Sequence, residues 1–345
     1  MRNKITLTLL MLTALVVTAQ ETEDASTKKF TISGSVDAYY RANLTGPNEA
    51  FEDGDDTFFL NPGTSFANRS GFSLGMANAI ISYEGSKVGF VADLVFGPRG
   101  EDAVFLSTGS SNIVNQLYMY YNVSDKVKLT LGNFNTFLGY EVISPADNFN
   151  YSTSYMFSNG PFSHTGLKAD ITLSDDFSLL LAIMNSTDFT ETNFDGSYTA
   201  GAQLGYKDQY LNLIYGDQTG SNGTTFQVDY TGGTNLNDTF FLGINATYND
   251  TEGSGFYGAA LYPQYTVSET FGLGLRAEYF GFHEEDFDDE TVFAATLSAN
   301  YKVDDLTIIP EIRLDSWSEE FYFDNDLEPS KSLASFLIAA VYKFN

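Results

Sequence analysis

Beyond residue 29 the chain keeps repeating one pattern, segments of about ten residues in which polar and apolar side chains alternate. A period of two places successive side chains on opposite faces of an extended strand. In the first segment Thr31, Ser33, Ser35, Asp37, Tyr39, Arg41 and Asn43 share one face, and Phe30, Ile32, Val36, Ala38, Tyr40 and Leu44 share the other. The separation recurs where Phe271, Leu273, Leu275, Ala277 and Tyr279 oppose Thr270, Gly272, Gly274, Arg276 and Glu278. It recurs again where Ile308, Ile312 and Leu314 oppose Thr307, Glu311, Arg313 and Asp315. Such strands have one face for water and one for an apolar medium, and a soluble sandwich alternates in the same way.

The connections separate the two cases. Short polar turns fall at 84–86, 124–125, 174–176, Asp208, 232–237, 268–269 and 304–305. Between them lie longer loops at 45–67, 98–111, 136–161, 187–196, 217–223, 281–290 and 316–331, with a shorter one at 249–254. Transmembrane barrels put short turns on the periplasmic side and long loops outside, whereas a sandwich has no reason to sort connections by parity. Seven turns and eight loops predict an all-β, up-and-down antiparallel barrel of about sixteen strands with both termini on the turn side. Closure leaves no unpaired strand edge in lipid. Pro263 and Pro310 fall inside predicted strands, where proline deletes a ladder hydrogen bond, so bulges or strand ends are expected there.

The N-terminus reads as an export signal over residues 1–19: Arg2 and Lys4, an apolar core from Ile5 to Val17, and a small-residue site at Val17-Thr18-Ala19. A short periplasmic segment, 20–29, then precedes the barrel, 30–345. No later segment has the ~18 uninterrupted apolar residues of a spanning helix, so strands must do any spanning. The chain has no cysteine, which removes thiolate metal sites, disulfides, a lipid-anchored cysteine and cysteine nucleophiles together. Its 30 Phe and 22 Tyr supply large apolar surface to a chain of near-neutral hydropathy, as expected when half of every strand faces lipid. The formal charge is −28, and about −30 without Arg2 and Lys4, which argues against nucleic acid as a partner.

Glu141-Val-Ile-Ser-Pro-Ala-Asp-Asn-Phe-Asn-Tyr-Ser-Thr-Ser-Tyr-Met-Phe, continuing to Pro161-Phe-Ser-His-Thr-Gly166, resembles a signature loop of the OmpL-like β-barrel porin family. Ile32-Ser-Gly-Ser-Val-Asp-Ala-Tyr-Tyr40 resembles its first strand, and with the last strand the resemblance covers the mature chain. It implies a porin in the outer membrane of a Gram-negative bacterium, in contact with lipid and lipopolysaccharide, and names no solute. Many porins are trimers, and no subunit interface is legible here. Phe336, Ile338, Ala340, Tyr342 and Phe344 alternate as barrel-assembly machinery expects of a final strand, although Asn345 follows.

The loop 136–161 is the longest predicted connection and follows the fifth strand, the place of the inward-folded constriction loop in sixteen-stranded porins. Glu141 and Asp147 are then candidate constriction carboxylates, facing lumen-wall charges at Arg41, Lys128, Lys168, Arg276 and Arg313. Opposed charges would set a transverse field across a pore; the same groups could equally be ion pairs bracing the wall. Acid also clusters in three loops, at Asp53, Asp55 and Asp56 beside Glu52, at Asp286, Asp288 and Asp289 beside Glu284, Glu285 and Glu290, and at Asp324, Asp326 and Glu328. Such carboxylates are candidates for a divalent cation, though none has a calcium-loop spacing, and solvation of a loop explains them as well.

The expected function is passive diffusion of small hydrophilic solutes through a water-filled lumen with a weak cation preference, needing no cofactor and no catalysis. Two other classes stay open. A barrel lipase or protease needs a base, and the chain has only His164 and His283. His164 is expected instead to hydrogen-bond where the long loop returns to the wall. A surface adhesin or structural barrel with a blocked lumen would neither conduct nor hydrolyse.

Overall fold

A computed structural model describes residues 29–53, 56–218 and 223–344, without side-chain detail at Glu52, Asp53 and Asp56. The predicted signal and nearly all of the segment 20–29 lie outside the described residues, as do Asp55 and Asn345. Sixteen strands close into one antiparallel barrel. They are β1 Lys29–Asn43, β2 Gly71–Glu84, β3 Val88–Phe96, β4 Val114–Ser124, β5 Val127–Asn135, β6 Ser163–Thr172, β7 Phe177–Met184 and β8 Thr199–Tyr206, then β9 Gln209–Asp217, β10 Thr224–Asn235, β11 Phe240–Thr251, β12 Ser254–Ser268, β13 Phe271–Glu284, β14 Glu290–Val303, β15 Leu306–Trp317 and β16 Ser332–Phe344. Each pairs with its sequence neighbours, and β1 closes the circle on β16 with Ala38 opposite Ala340.

Alternation fixes the two faces as the sequence predicts. In β1 Phe30, Ile32 and Val36 are exposed to the lipid side while Ser35, Asp37, Tyr39, Arg41 and Asn43 are buried inside. In β4 Leu117, Met119 and Tyr121 point out between the half-buried Gln116, Tyr118, Tyr120 and Asn122. Exposed aromatics gather at both rims: Phe177, Tyr206, Tyr265, Tyr301 and Tyr342 near the turns, and Tyr198, Tyr215, Tyr248 and Phe293 near the loops. These are the two interfacial girdles of a membrane barrel.

Connection parity survives with one correction. The sixth outer connection is not the loop 249–254: β11 and β12 run on to a two-residue turn, with Glu252 and Gly253 both at positive φ. The prolines also depart from expectation. Pro263 and Pro310 sit inside β12 and β15, paired with Leu242 and Ile338. On its other side each lies where the ladder skips, yet the register is the same before and after: Leu261–Ala277 and Gln264–Gly274 for one, Ser298–Glu311 and Tyr301–Ile308 for the other. The missing N–H thus costs local hydrogen bonds without a bulge or a strand end.

The loops are built partly inside the barrel. The second carries a short helix, α1 Pro98–Ala103, and the third carries α2 Tyr155–Asn159, whose Ser154 caps it by accepting from Phe157 N at 3.0 Å. The first loop, 44–70, is as long as the third, 136–162, and both enter the lumen.

Candidate functional site

The third loop leaves β5 and returns to β6 through a closed neck, where Thr136 N donates to Phe162 O at 3.0 Å. His164, fully buried, places Nε2 3.0 Å from Thr136 Oγ1 and packs its ring on Phe134 and Phe137. It therefore secures the loop's return. On the far side, Asp188 of the fourth loop accepts from Phe162 N at 2.7 Å and Ser163 N at 2.8 Å. Burial pushes this carboxyl up to about 6 against those two donors.

From that neck the loop crosses to the opposite wall, where strand carboxylates take its backbone N–H groups. Asp229 of β10 accepts from Gly139 N at 2.9 Å. Glu278 of β13 accepts from Tyr155 N and Met156 N at 2.9 and 2.8 Å. Glu311 of β15 accepts from Tyr151 N and Ser152 N at 2.6 and 3.1 Å. Asp37 of β1 accepts from Tyr151 Oη.

Guanidinium groups take the carbonyls in return. Arg276 donates to Ser152 O at 2.6 Å, Arg313 to Thr153 O at 2.8 Å, and Arg99 of α1 to Ile143 O at 2.9 Å and Tyr151 O at 3.2 Å. A loop has no ladder to satisfy its backbone, and charge-assisted bonds from a rigid wall replace it here. Tyr151, Thr153, Ser154, Tyr155 and Met156 are consequently all buried.

The expected site residues divide accordingly. Glu141 does not face Arg276 across a gap: the two are in contact at 2.6 Å, with side chains 4 % and 0 % exposed, and Glu141 also accepts from Ser154 N at 2.8 Å. Arg313 is held by Asp315 through Nε and Nη2 at 2.7–3.0 Å. Arg41 donates to Asn43 Oδ1 at 2.7 Å and Leu60 O at 3.3 Å. Asp147 lies at the periplasmic side, half-exposed and paired with Lys343 at 2.5 Å. Lys128 and Lys168 share Asp170 at 3.8 and 3.2 Å on the other side of the barrel.

Among the described residues no group of three or more His, Asp or Glu gathers to hold a metal ion. Asp289 accepts from Tyr257 Oη at 2.8 Å, and Asp286 and Asp288 are in the same loop. The side chains of Asp53 and Asp56 are outside the description. His283 places Nε2 2.9 Å from Asn249 O and stacks on Tyr248.

Space remains beside and beneath the loop. A cavity of about 640 Å³ lies between the loop's first limb and β8–β11, reaching from Phe157 and Phe162 to Asp208 and Asn235. Cavities of about 370 and 460 Å³ follow along β4–β7, lined by Gln116, Tyr120, Lys128 and Asp170 among others. One of about 910 Å³ opens at the periplasmic turns, between Asp147, Asp304 and Lys343. The aromatic lining of the first, Phe137, Tyr140, Tyr210 and Phe241, was not foreseen. Strand parity could have found two of these, since Tyr210 shares a face with Asn212, and Phe241 with Asn245 and Thr247.

No match was found among curated proteins. Solved structures similar to the chain include OmpT of Vibrio cholerae, 12 % identical over 94 % of this chain and 100 % of that one, with a TM-score of 0.56. An anion-selective porin from Comamonas acidovorans is 10 % identical over 92 % of this chain and 100 % of its own, at 0.62. The trimer form of in-vitro folded Vibrio cholerae OmpT is 12 % identical over 92 % and 99 %, at 0.54. At such identities the likeness is one of fold, an outer-membrane porin barrel. The family model described as "Putative beta-barrel porin-2, OmpL-like" matches residues 29–344, so the chain belongs to this family of outer-membrane β-barrel porins.

Proposed function

We propose that the protein passes small hydrophilic solutes across the outer membrane by passive diffusion, along the side of the lumen that the third loop leaves open. One observation carries this reading. The loop is fixed to β10, β13, β15 and β1, while inward groups of β4–β8, among them Gln116, Tyr120, Lys128, Lys168 and Gln203, border cavities. A barrel of sixteen strands is wide enough to hold both a partition and a passage.

A weak cation preference follows from the charges that stay accessible. Glu84, Asp125, Asp147, Asp170, Asp208, Glu269, Asp304 and Asp305 border the cavities, against Lys126, Lys128, Lys168, Lys302 and Lys343. Glu141 contributes little to this balance, being neutralised by Arg276, and Asp147 is the remaining candidate of the loop. The protein needs no catalytic group for this task. We infer further that residues 1–19 are removed on export and that three copies assemble, which N-terminal sequencing and native mass spectrometry of the mature barrel would test.

The direct test is liposome swelling with sugars and ions. Size-dependent swelling is expected. Folded barrel that produces none, with hydrolysis of lipid or peptide instead, would replace the channel by an enzyme.

A further inference from the structure

Apolar rings on the inner wall of a conducting barrel are out of place, because inward positions ordinarily meet water. Here four half-buried rings, Phe137, Tyr140, Tyr210 and Phe241, border one cavity, and the buried Phe157 and Phe162, stacked at 4.9 Å, close its outer end. Two of the rings are seated by glycines. A Cβ at Gly243 would meet Tyr140 Oη at 2.4 Å, and one at Gly233 would meet Phe241 Cζ at 2.1 Å. Tyr140 is further fixed by stacking on Tyr262 at 4.1 Å and 20°. Burial, with Glu141 adding to it, pushes the Tyr140 phenol up to about 12, so it stays a neutral hydrogen-bonding group.

The edges of the cavity are amides: Asn135, Gln203 and Asn235. Gln203 is held by donating to Phe137 O at 3.2 Å and Asn212 Oδ1 at 2.7 Å, and Asn135 Oδ1 is buried without a hydrogen-bond partner. No Lys or Arg lines this cavity, whereas Lys lines each of the three others bordering the passage. Its volume of about 640 Å³ is within the roughly 300–1,000 Å³ of small-molecule sites.

We propose that this ring-lined cavity between the third loop and β8–β11 is an affinity site for uncharged pyranose sugars, which present a flat C–H face to Phe137, Tyr210 and Phe241 and edge hydroxyls to the amides. The proposal deepens the porin reading and rests on it for the sugar's role as a permeant. Rings alone would suit any apolar solute. The amide edges favour one whose hydroxyls surround an apolar face, and the lack of a base disfavours sugar acids and phosphates.

The test is titration calorimetry of the detergent-folded barrel with maltose, and with the acyclic polyol sorbitol as the control. Maltose should bind, sorbitol should not, and Tyr210→Ala or Phe241→Ala should weaken maltose at least tenfold, while Tyr210→Phe and Phe241→Trp restore it. Equal binding of maltose and sorbitol, or wild-type affinity in the heat-modifiable, folded alanine variants, would overturn the site. Bilayer currents recorded on the same samples separate this from the porin reading. Conduction without maltose binding removes the site and leaves the porin; binding without conduction leaves the site and removes the porin.

Discussion

The two sides of the lumen have the same strand pattern and opposite fates. On β12–β16 and β1 the inward charges, Arg276, Glu278, Glu311, Arg313, Asp315 and Asp37, are buried and spent on the third loop or on one another. On β4–β8 a set of inward groups, Gln116, Lys128, Lys168 and Gln203, borders open space, beside a packed cluster of Phe134, Leu138, Met184 and Ile214. The contrast teaches that charge inside this barrel has two uses. Most of it replaces the missing ladder of an irregular loop, and only the remainder is available to a solute.

The contrast should appear most strongly in stability. Arg276→Met leaves Glu141 and Glu278 buried beside each other without their counter-charge, and breaking such a pair costs about 3–5 kcal/mol. Lys168→Met, in a partly exposed pair, should cost less than about 1 kcal/mol. Urea midpoints of the two variants make the comparison, and equal losses would break it. Truncation of rings follows the same order. Tyr151→Ala empties a fully buried site and removes one of the two donors to Asp37, for about 3 kcal/mol or more, whereas half-buried Tyr210→Ala should cost about 1 kcal/mol.

Selectivity should sort in the reverse sense. Lys128→Glu with Lys168→Glu should raise cation over anion permeability, roughly twofold, in reversal potentials across a salt gradient. Glu141→Gln should leave the reversal potential where it was, since its side chain is buried and Glu278 still balances Arg276. A shift with Glu141→Gln alone would return that residue to the ion path.

A pH dependence belongs to Asp188, at the neck of the third loop. Its carboxyl ionises near 6 when folded and near 3.9 when unfolded, so the folded state holds the proton more tightly. This group's contribution to stability therefore increases as pH falls from about 7 to 4, by roughly 2 kcal/mol. Asp188→Asn should remove that part of the pH slope and keep an acceptor for Phe162 N; an unchanged slope would rule the assignment out.

Which of these features a sequence can express depends on their range. The faces of β1, β13 and β15 are local, set by period two, and were legible, as was the sorting of turns from loops. Glu141 and Arg276 lie 135 positions apart, and the sequence leaves open whether they oppose each other across a pore or pair, as they do. The strand alternation around Arg276 is that around Lys128 and Lys168, so the packed and open sides read alike. The turn at Glu252-Gly253 was missed because polar Asn249, Asp250 and Thr251 are loop-forming residues that neighbouring strands hold in register with Gln227, Phe226 and Thr225. The ring platform was missed because aromatic residues in such a chain suggest lipid contact, whereas parity turns Tyr210 and Phe241 inward.

The absence of cysteine offers a clean background for the most direct measurement. Single-channel currents should be recorded for Gln203→Cys, on the open side, and Ser298→Cys, buried against Asn150 of the third loop, before and after a charged thiol reagent. The account predicts discrete conductance steps that the reagent reduces in Gln203→Cys and leaves unchanged in Ser298→Cys. Block confined to Ser298→Cys, or no conductance from either folded barrel, would contradict it.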